Sequence, residues 1–226
     1  MTSPILILRM PSSAFSSTAS RGRGRPREFD IDAALDKSVR VFRERGYHAT
    51  SIADLTEAME LASGSVYKAF KDKRAVFLAA FDREGKTRRE KLRRLLSMTK
   101  SGRDRIRVAL TFIAESSHGV EGKRGCLIVG TAAEFATFDA EVAQRVTAAL
   151  RQIEMLMVDL IRQGHVDGSI SAAIDSKVTG RLLLCLVQGM RVIGKTGRSR
   201  QEMMAVADAA MKLLGPVKTF VSPRAK

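Results

Sequence analysis

Apolar residues recur at helical spacing along most of the chain, and no segment alternates steadily between apolar and polar positions. The first helical stretch follows Asp30, a suitable N-cap, and stops before Gly46, which is typical of a helix end. Thr50 or Ser51 can cap a short second helix. A tight turn and another short helix follow, the latter ending near Phe70. The N-terminal pattern therefore predicts two short helices that meet across a turn.

Downstream, the same spacing continues to the C-terminal end of the chain. Asp72 is expected to cap a long helix that carries the basic run 83–97. Further helices are predicted over residues 104–117, 126–137, 139–164, 175–193 and 199–214, with loops at 118–125 and 165–171. The sequence thus predicts an all-α protein of about nine helices, with a small basic domain ahead of a larger helical one.

Charge narrows the class of partner. The formal net charge is +15, and residues 21–100 contain 20 Lys and Arg against 12 Asp and Glu. Such an excess favours a polyanionic partner, nucleic acid first and an anionic membrane surface second. No run approaches the roughly 20 apolar residues of a membrane span. We interpret residues 1–20 as a disordered tail rather than a secretion signal, because their apolar run is too short.

Metal, disulfide and redox chemistry are not expected. Cys126 and Cys185 lie in apolar sequence without CxxC spacing, which fits a reducing cytoplasm. We expect Cys126 to be an inert buried thiol rather than a redox sensor. His118 and His165 have no suitably spaced Cys, Asp or Glu partners. The sequence therefore predicts neither a metal site nor a cofactor.

One motif suggests nucleotide binding and is rejected. Residues 189–196, GMRVIGKT, satisfy the phosphate-loop pattern literally. A phosphate loop needs a preceding strand and a parallel sheet, and neither is predicted around this segment. We instead expect a mostly buried helix that ends near Gly194. No nucleophile–base, paired-carboxylate or metal pattern is evident on the helical frame, so the protein is predicted not to be an enzyme.

The second short helix has one polar and one apolar side. Small side chains let a helix backbone approach a major groove closely, and Ser and Lys donate hydrogen bonds to base edges. Tyr67 and Lys73 are suited to phosphate oxygens, Lys73 at the start of the next helix. On the second short helix, the candidates for base contact are Ser63, Ser65 and Lys68, whereas Val66 and Phe70 form the apolar side.

A basic arm precedes this unit. Residues 23–26, Arg-Gly-Arg-Pro, resemble the AT-hook core, in which Arg side chains enter a narrow minor groove. Arg23 and Arg25 are therefore candidate DNA contacts. A solubilising tail remains the alternative reading of the arm.

The pattern VFRERGYHATSIADLTEAM…SVYKAFKDKRAVF, within residues 29–84, resembles the DNA-binding domain of the TetR family. The resemblance implies backbone contacts from Thr50 and Ser51, although Thr50 could serve only as a helix cap. It implies base contacts from Ser63, Ser65 and Lys68, and phosphate contacts from Tyr67 and Lys73. This sequence departs from the family at Glu60, where Gly is usual, and at Ala62, where Ser or Thr is usual. Ser63 could then cap the helix instead.

The segment GCLIVGTAAEFATFDAEVAQRV resembles the regulatory domain of one TetR subgroup. That resemblance implies a ligand cavity, and a dimer interface formed by helices at about 175–194 and 199–215. Gly130 replaces a residue that is often polar in relatives, so no ligand contact is carried over there. Candidate interface residues are Leu182, Leu186, Met190, Met203, Val206, Ala210 and Leu213. Candidate pocket residues are Phe112, Phe135, Phe138 and Met155, with ordinary core packing as the alternative.

These features predict a cytoplasmic, ligand-responsive regulator that binds palindromic double-stranded operator DNA as a homodimer and represses transcription. A small molecule would favour a conformer whose recognition helices no longer fit successive major grooves. The alternative is a basic membrane-surface or architectural DNA-associated protein. The expected segments are a tail (1–20), the basic arm (21–28), the helix-turn-helix domain (29–75), a connecting helix (76–100), a regulatory and dimerisation domain (101–216) and a tail (217–226).

Overall fold

The computed structural model describes residues 29–216, and every regular element in that range is helical. The prediction of an all-α fold is confirmed. The elements are α1 Ile31–Arg45, α2 Ile52–Met59, α3 Ser63–Ala69, α4 Lys73–Ser97, α5 Gly102–Glu115, α6 Gly119–Arg124, α7 Leu127–Glu134, α8 Ala140–Val166, α9 Ser176–Gly194, α10 Arg200–Ala210 and a short 3-10 helix, Met211–Leu214.

Side-chain caps fix the starts of most of the longer helices. Asp30 accepts a hydrogen bond from the Ala33 amide, and Asp72 accepts one from the Ala75 amide at 2.8 Å. Both caps agree with the sequence prediction. Of the two candidates before α2, Ser51 is the cap, and it forms a reciprocal capping box with Asp54.

The loop predicted over residues 118–125 is wrong, because it contains α6. Three glycines suggested a loop, yet each has a role beside or within a helical turn. Gly119 and Gly125 bracket α6 with φ of 56° and 85°, a region that favours glycine. A Cβ on Gly122 would lie 2.6 Å from the Ser117 carbonyl carbon, so only glycine allows α6 to pack this closely. Residues 29–216 therefore contain ten α-helices, in agreement with the prediction of about nine.

Two apolar cores hold the helices together. The larger one combines α5, α8, α9 and α10 around fully buried side chains such as Leu110, Ile161 and Leu183. The smaller one contains the α1–α4 unit, including Phe42 and Val66. It also takes in four residues from later helices and the segment just after α7: Leu127, Phe135, Val142 and Val146. The N-terminal unit thus completes its core with side chains from the C-terminal half of the chain.

Aromatic stacking forms the centre of this shared core. The Tyr47 ring stacks on Phe135 with a centroid distance of 3.9 Å, and Phe77 contacts both rings edge-on. Beside the stack, the Glu134 carboxylate accepts hydrogen bonds from the backbone amides of Tyr47 and His48. A Cβ on Gly46 would overlap that carboxylate. The loop after α1 and the C-terminal end of α7 are consequently fixed to each other.

Ion pairs continue the connection along the same junction. Arg74, in the first turn of α4, contacts Asp139 at 2.6 Å and Glu141 at 2.7 Å. Asp139 is also the N-cap of α8. On the other side, Arg43 of α1 donates to the Gly125 carbonyl at 2.8 Å and pairs with Glu121 of α6. The start of α8 and the whole of α6 are thereby joined to the N-terminal unit.

The crossing of α5 and α8 requires a glycine, which gives a test of the packing. A Cβ on Gly102 would overlap the backbone nitrogen of Gly164 and lie 2.6 Å from the Leu160 carbonyl oxygen. Both obstacles are backbone atoms, so the helices must separate. We expect Gly102→Ala to lower the free energy of unfolding by about 1–3 kcal/mol. As a control, Gly130→Ala places a methyl group in open space within α7. Because alanine has a higher helix propensity than glycine, that variant should be slightly more stable than the parent. Thermal denaturation of both variants measures the difference, and equal melting temperatures would contradict the close crossing.

The Arg74–Asp139 contact predicts a pH dependence of stability. The hydrogen bond from Arg74, with help from the Val142 amide, lowers the pKa of Asp139 to about 2. A carboxylate whose pKa falls on folding stabilises the protein above its unfolded pKa, near 3.8, and this stabilisation is lost as pH falls from there towards 2. Asp139→Asn retains a good N-cap but removes the charge. We expect the variant to melt at a lower temperature than the parent at pH 7 and to lose less stability between pH 5 and pH 3. If the melting temperatures of the parent and the variant fall by the same amount between pH 5 and pH 3, the ion pair does not stabilise the fold.

Candidate functional site

The α2–α3 unit presents a short polar helix above an apolar anchor. Three residues separate α2 from α3, and the fully buried side chain of Val66 fixes α3 to the core below. On the outward side, Ser63 and Lys68 are exposed and the Tyr67 side chain is 53% exposed, whereas Ser65 is half-buried. The residues predicted to contact bases therefore lie on or beside one surface of α3. Such a helix has the polarity that major-groove recognition requires.

Glu60 gives the turn an unusual backbone. It has φ of 58°, and no other described non-glycine residue has a positive φ. A side chain in this left-handed conformation costs about 1 kcal/mol, which explains why glycine is the common choice here. The Glu60 carboxylate pairs with Lys37 of α1 at 2.8 Å, and the hydrogen bond from Lys37 lowers the pKa of Glu60. The acidic side chain is thus held by a cation of the same unit.

The start of α3 lacks a side-chain cap. Ala62 occupies the N-cap position and makes no cap hydrogen bond. Ser63 is the first helical residue, so the expectation that it would serve as the cap is wrong. A missing cap costs a helix about 1 kcal/mol. The Ser63 side chain stands exposed at the outer surface of α3 instead.

Two predicted DNA contacts have other roles in the structure. Thr50 is 1% exposed, and its hydroxyl donates to the Gly46 carbonyl at 2.6 Å, so its side chain is a packed structural element. The Lys73 ammonium donates to the carbonyl oxygens of Tyr47 and Thr50, at 3.0 and 2.9 Å, and lies 4.3 Å from the Tyr47 ring centroid. Lys73 therefore fixes the loop before α2 to the start of α4. Arg23, Arg25, the basic arm and both tails (1–20 and 217–226) lie outside the described residues.

A cavity of about 680 Å³ lies between α4, α5, α8 and α9. Of the four pocket candidates, Phe112 lines this cavity, and its contact with a ligand stays a prediction. The other three pocket candidates were wrong: Phe135 is buried in the smaller core against Tyr47, whereas Phe138 is 78% exposed and Met155 is 54% exposed on α8. Sequence periodicity could not tell which of these aromatic and methionine side chains line the cavity, which pack in a core and which are exposed. Arg88 and Arg191 also line the cavity and were missed. Arg191 offered a signal, since it is the one charged residue within residues 182–194 of α9.

Exposed apolar residues lie on α9, on α10 and on the 3-10 helix that follows it, but they are only partly the residues that were predicted. Met190, Met203 and Ala210 are each 2% exposed and belong to the larger core of the same chain, so they are corrected from interface to core. Leu186 is half-buried. The exposed members include the predicted Leu182, Val206 and Leu213, together with Val178, Cys185, Val192 and Ile193. An exposed apolar patch of this kind is typical of a protein–protein contact surface.

The cysteines and the basic run also differ from expectation. Cys185 is exposed on α9, and Cys126 lies with its Sγ atom 3.1 Å from an Arg191 guanidinium nitrogen rather than in purely apolar surroundings. Within the basic run, Arg83 pairs with Asp32 and Asp36 of α1, and Arg88 points into the cavity. Several of these cations therefore serve internal contacts, which weakens the membrane-surface reading of α4.

Residues 29–216 contain neither a membrane-spanning helix nor a cluster of metal-binding side chains. No helix in this range is both long and apolar enough to cross a lipid bilayer. Nor do any three His, Cys, Asp or Glu side chains of the range gather where they could hold a metal ion. The phosphate-loop pattern begins inside α9, because residues 189–194 form the end of that helix. The residues before the pattern are therefore helical, whereas a phosphate loop needs a strand there.

Comparison with known proteins agrees with the two-part geometry. Residues 34–80 match the family profile described as "Bacterial regulatory proteins, tetR family". Residues 102–210 match the profile "Tetracyclin repressor-like, C-terminal domain". The chain is 27% identical to the HTH-type transcriptional repressor ComR of Escherichia coli K12 over 194 residues, covering 85% of this chain and 92% of ComR.

Solved structures give the same result. A cysteine mutant of the TetR family regulator CifR, in complex with 26-bp operator DNA, is 30% identical with a TM-score of 0.75, covering 83% of this chain and 98% of that one. FadR of Bacillus subtilis, solved with stearoyl-CoA, shares the fold with a TM-score of 0.66 at 15% identity, over 82% of this chain and 98% of FadR. With both domains matched in order and a relative at 30% identity over most of its length, the chain belongs to the TetR family of transcriptional regulators.

Proposed function

We propose that the protein is a repressor that binds a palindromic operator as a homodimer and leaves it when a small molecule occupies the cavity. The observation that carries this proposal is the pairing of an exposed polar α3 with a cavity, through one continuous helix, α4. The regulator CifR, 30% identical, was solved on operator DNA, and ComR is described as a repressor. Both descriptions support the assignment.

DNA reading is assigned to α3. Lys68 is exposed at its outer side, where an ammonium can donate to a guanine edge, and Ser63 and Ser65 are short enough to let the helix enter the groove. The exposed Tyr67 hydroxyl is suited to a phosphate oxygen. Ser51 caps α2 with its side chain and is also exposed, which leaves it beside the DNA backbone in this arrangement.

Effector control is assigned to the cavity and to α4. This helix begins beneath the loop that precedes α2, where Lys73 holds two carbonyl oxygens, and its middle turns line the cavity. A ligand that favours one position of α4 therefore also favours one position of α3. In a dimer, that shift would change the separation of two recognition helices on successive major grooves.

Dimerisation is assigned to the exposed apolar surface of α9 and α10. Leu182, Val206 and Leu213 are exposed by 47%, 39% and 36% in the single chain. Pairing of two such helices with their symmetry mates gives a four-helix interface that buries this surface. A palindromic site then follows from the two-fold symmetry of the protein.

Lys68 provides the test of base reading. Operator fragments are first selected from sheared genomic DNA with the purified protein, and affinity is then measured at two salt concentrations. We expect Lys68→Ala to weaken operator binding by about 1–3 kcal/mol, roughly 5- to 150-fold, and to reduce discrimination against random DNA. The matched control is Lys100→Ala. Lys100 follows α4, a helix of 25 residues and hence about 37 Å long, which puts it far from α3. Equal losses in the two variants would contradict base reading by Lys68.

Leu182 provides the test of the dimer. Leu182→Arg places a charge at the apolar surface of α9, and burial of an unpaired charge should prevent association. We expect sedimentation velocity to show a monomer, with operator binding reduced at least about tenfold because half-sites are then bound singly. The control, Val166→Glu, adds a charge at an exposed apolar residue on the end of α8, a side chain already 91% exposed. That variant should remain dimeric. A dimeric Leu182→Arg protein would place the interface elsewhere.

A further inference from the structure

The cavity has an apolar body and one cationic end. Leu92 and Leu96 of α4, Phe112 of α5, and Ile153 and Leu156 of α8 form its apolar wall. A volume of about 680 Å³ is within the range that holds drug-sized ligands. Six Lys and Arg side chains also line the cavity, and two of them define its cationic end. Two guanidinium groups, those of Arg88 and Arg191, come together near Cys126.

Arg88 is held in place, and the one carboxylate beside it is shared with a second arginine. Its guanidinium donates to the Ser116 hydroxyl at 2.9 Å and lies 5.3 Å from the Phe112 ring centroid. Glu84 is 4.0 Å away, but this carboxylate is shared with Arg43 at 3.8 Å. Burial, and then the charge of Arg191, lower the pKa of Arg88 to about 10. The surroundings therefore oppose a second positive charge at this end.

Arg191 is the more exceptional of the two. Only 8% exposed, it donates from Nη1 to the Cys126 sulfur, and its Nε atom has no hydrogen-bond partner among the described residues. Within the same part of the chain, no acidic side chain pairs with it. A buried guanidinium that is neither paired nor fully hydrogen-bonded is costly, and its usual remedy is an anion.

The balance of charges lining the cavity also favours an anionic ligand. Six Lys and Arg residues line it, against two acidic residues, Asp82 and Glu84. Asp82 is already paired with Arg145, and Glu84 is shared as described above. A planar carboxylate accepts two hydrogen bonds from a guanidinium, so it fits this end better than a neutral polar group. The apolar wall then requires that the anion be attached to a hydrophobic body.

We propose that the effector of this cavity is an organic carboxylate with an apolar body, whose carboxylate binds to Arg88 and Arg191 and whose body packs against the wall formed by α4, α5 and α8. This inference rests on the proposed function, because it names the chemical class of the effector for the same site. Binding supplies the anion that Arg191 lacks, and it draws α4, through Arg88, towards α9, through Arg191.

Matched probes test the class directly. Dodecanoate and dodecan-1-ol share an alkyl chain and differ in charge, as do 2-naphthoate and 2-naphthol, which have a compact aromatic body. Isothermal titration of the full chain, with dodecanoate below its micelle concentration, gives the affinities. We expect at least one carboxylate to bind about tenfold or more tightly than its matched alcohol. Equal binding within both pairs, or no binding of either carboxylate, overturns the proposal.

Substitutions locate the anion. Arg191→Gln should reduce carboxylate affinity about tenfold or more and leave alcohol affinity unchanged. Arg191→Lys keeps the charge but loses the paired hydrogen bonds, so its carboxylate affinity should fall between those of the parent and Arg191→Gln. The control, Arg162→Gln, removes an exposed cation that pairs with Asp159 on the far part of α8. The melting temperature of unliganded Arg191→Gln should not fall, because the substitution removes a cation facing Arg88. Carboxylate binding that survives Arg191→Gln places the anion elsewhere and overturns the assignment.

Operator binding separates this inference from the proposed function. The same proteins are titrated with the selected operator, without and with the carboxylate. If the protein binds the operator but no carboxylate, the effector class is wrong and the repressor assignment stands. If a carboxylate binds through Arg191 but no operator is selected, the cavity assignment stands and the repressor assignment fails.

Discussion

The stack of Tyr47 on Phe135 forms the centre of the junction that positions the DNA-binding unit. Tyr47 belongs to the loop between α1 and α2, and Phe135 follows the last turn of α7. Because Phe77 of α4 packs edge-on against both rings, three separate segments share the contact. Edge-on pairs such as the two that Phe77 makes contribute about 0.5–1.5 kcal/mol each beyond their buried area. The larger consequence is geometric: the unit that carries α3 has no complete core without the regulatory helices.

This shared core gives α4 its importance. The helix contacts the loop before α2 through Lys73, and fifteen residues later it presents Arg88 to the cavity. That separation corresponds to about 22 Å along a rigid helix. Around its first turn, Arg74 is paired with the N-cap of α8, so α4 and α8 are fixed to each other at one end and separated by the cavity further along. Under the proposed function, a ligand that changes the width of the cavity would change the angle of α4, and the N-terminal unit would follow its first turn. Packed helices with two discrete arrangements are the usual carriers of such coupling.

The sequence predicted the local elements well and the three-dimensional neighbours poorly. Caps such as Asp30 and Asp72 act within three or four residues, so their sequence signals are complete, and the all-α prediction followed from period alone. The family resemblance added the relation of α2 to α3. Phe135 and Phe138 show the limit: they are three residues apart with the same chemistry, yet one is buried and the other exposed. Their burial depends on how α7 meets the N-terminal unit, which no local pattern records. The same holds for Met190 and Leu182 on α9, whose faces are distinguished only by the neighbouring helices.

The places where local rules fail are also informative. Glu60 adopts a backbone conformation that suits glycine, Ala62 leaves α3 without a cap, and Arg191 is buried without a carboxylate partner among the described residues. Each choice costs stability, and substitution to a better local residue would be simple at every one. Natural sequences tolerate such conflicts mainly where function requires them. Two of the three lie in the turn that positions α3, and the third lies in the cavity. The distribution of these conflicts thus identifies the same two sites that the geometry of the fold connects through α4.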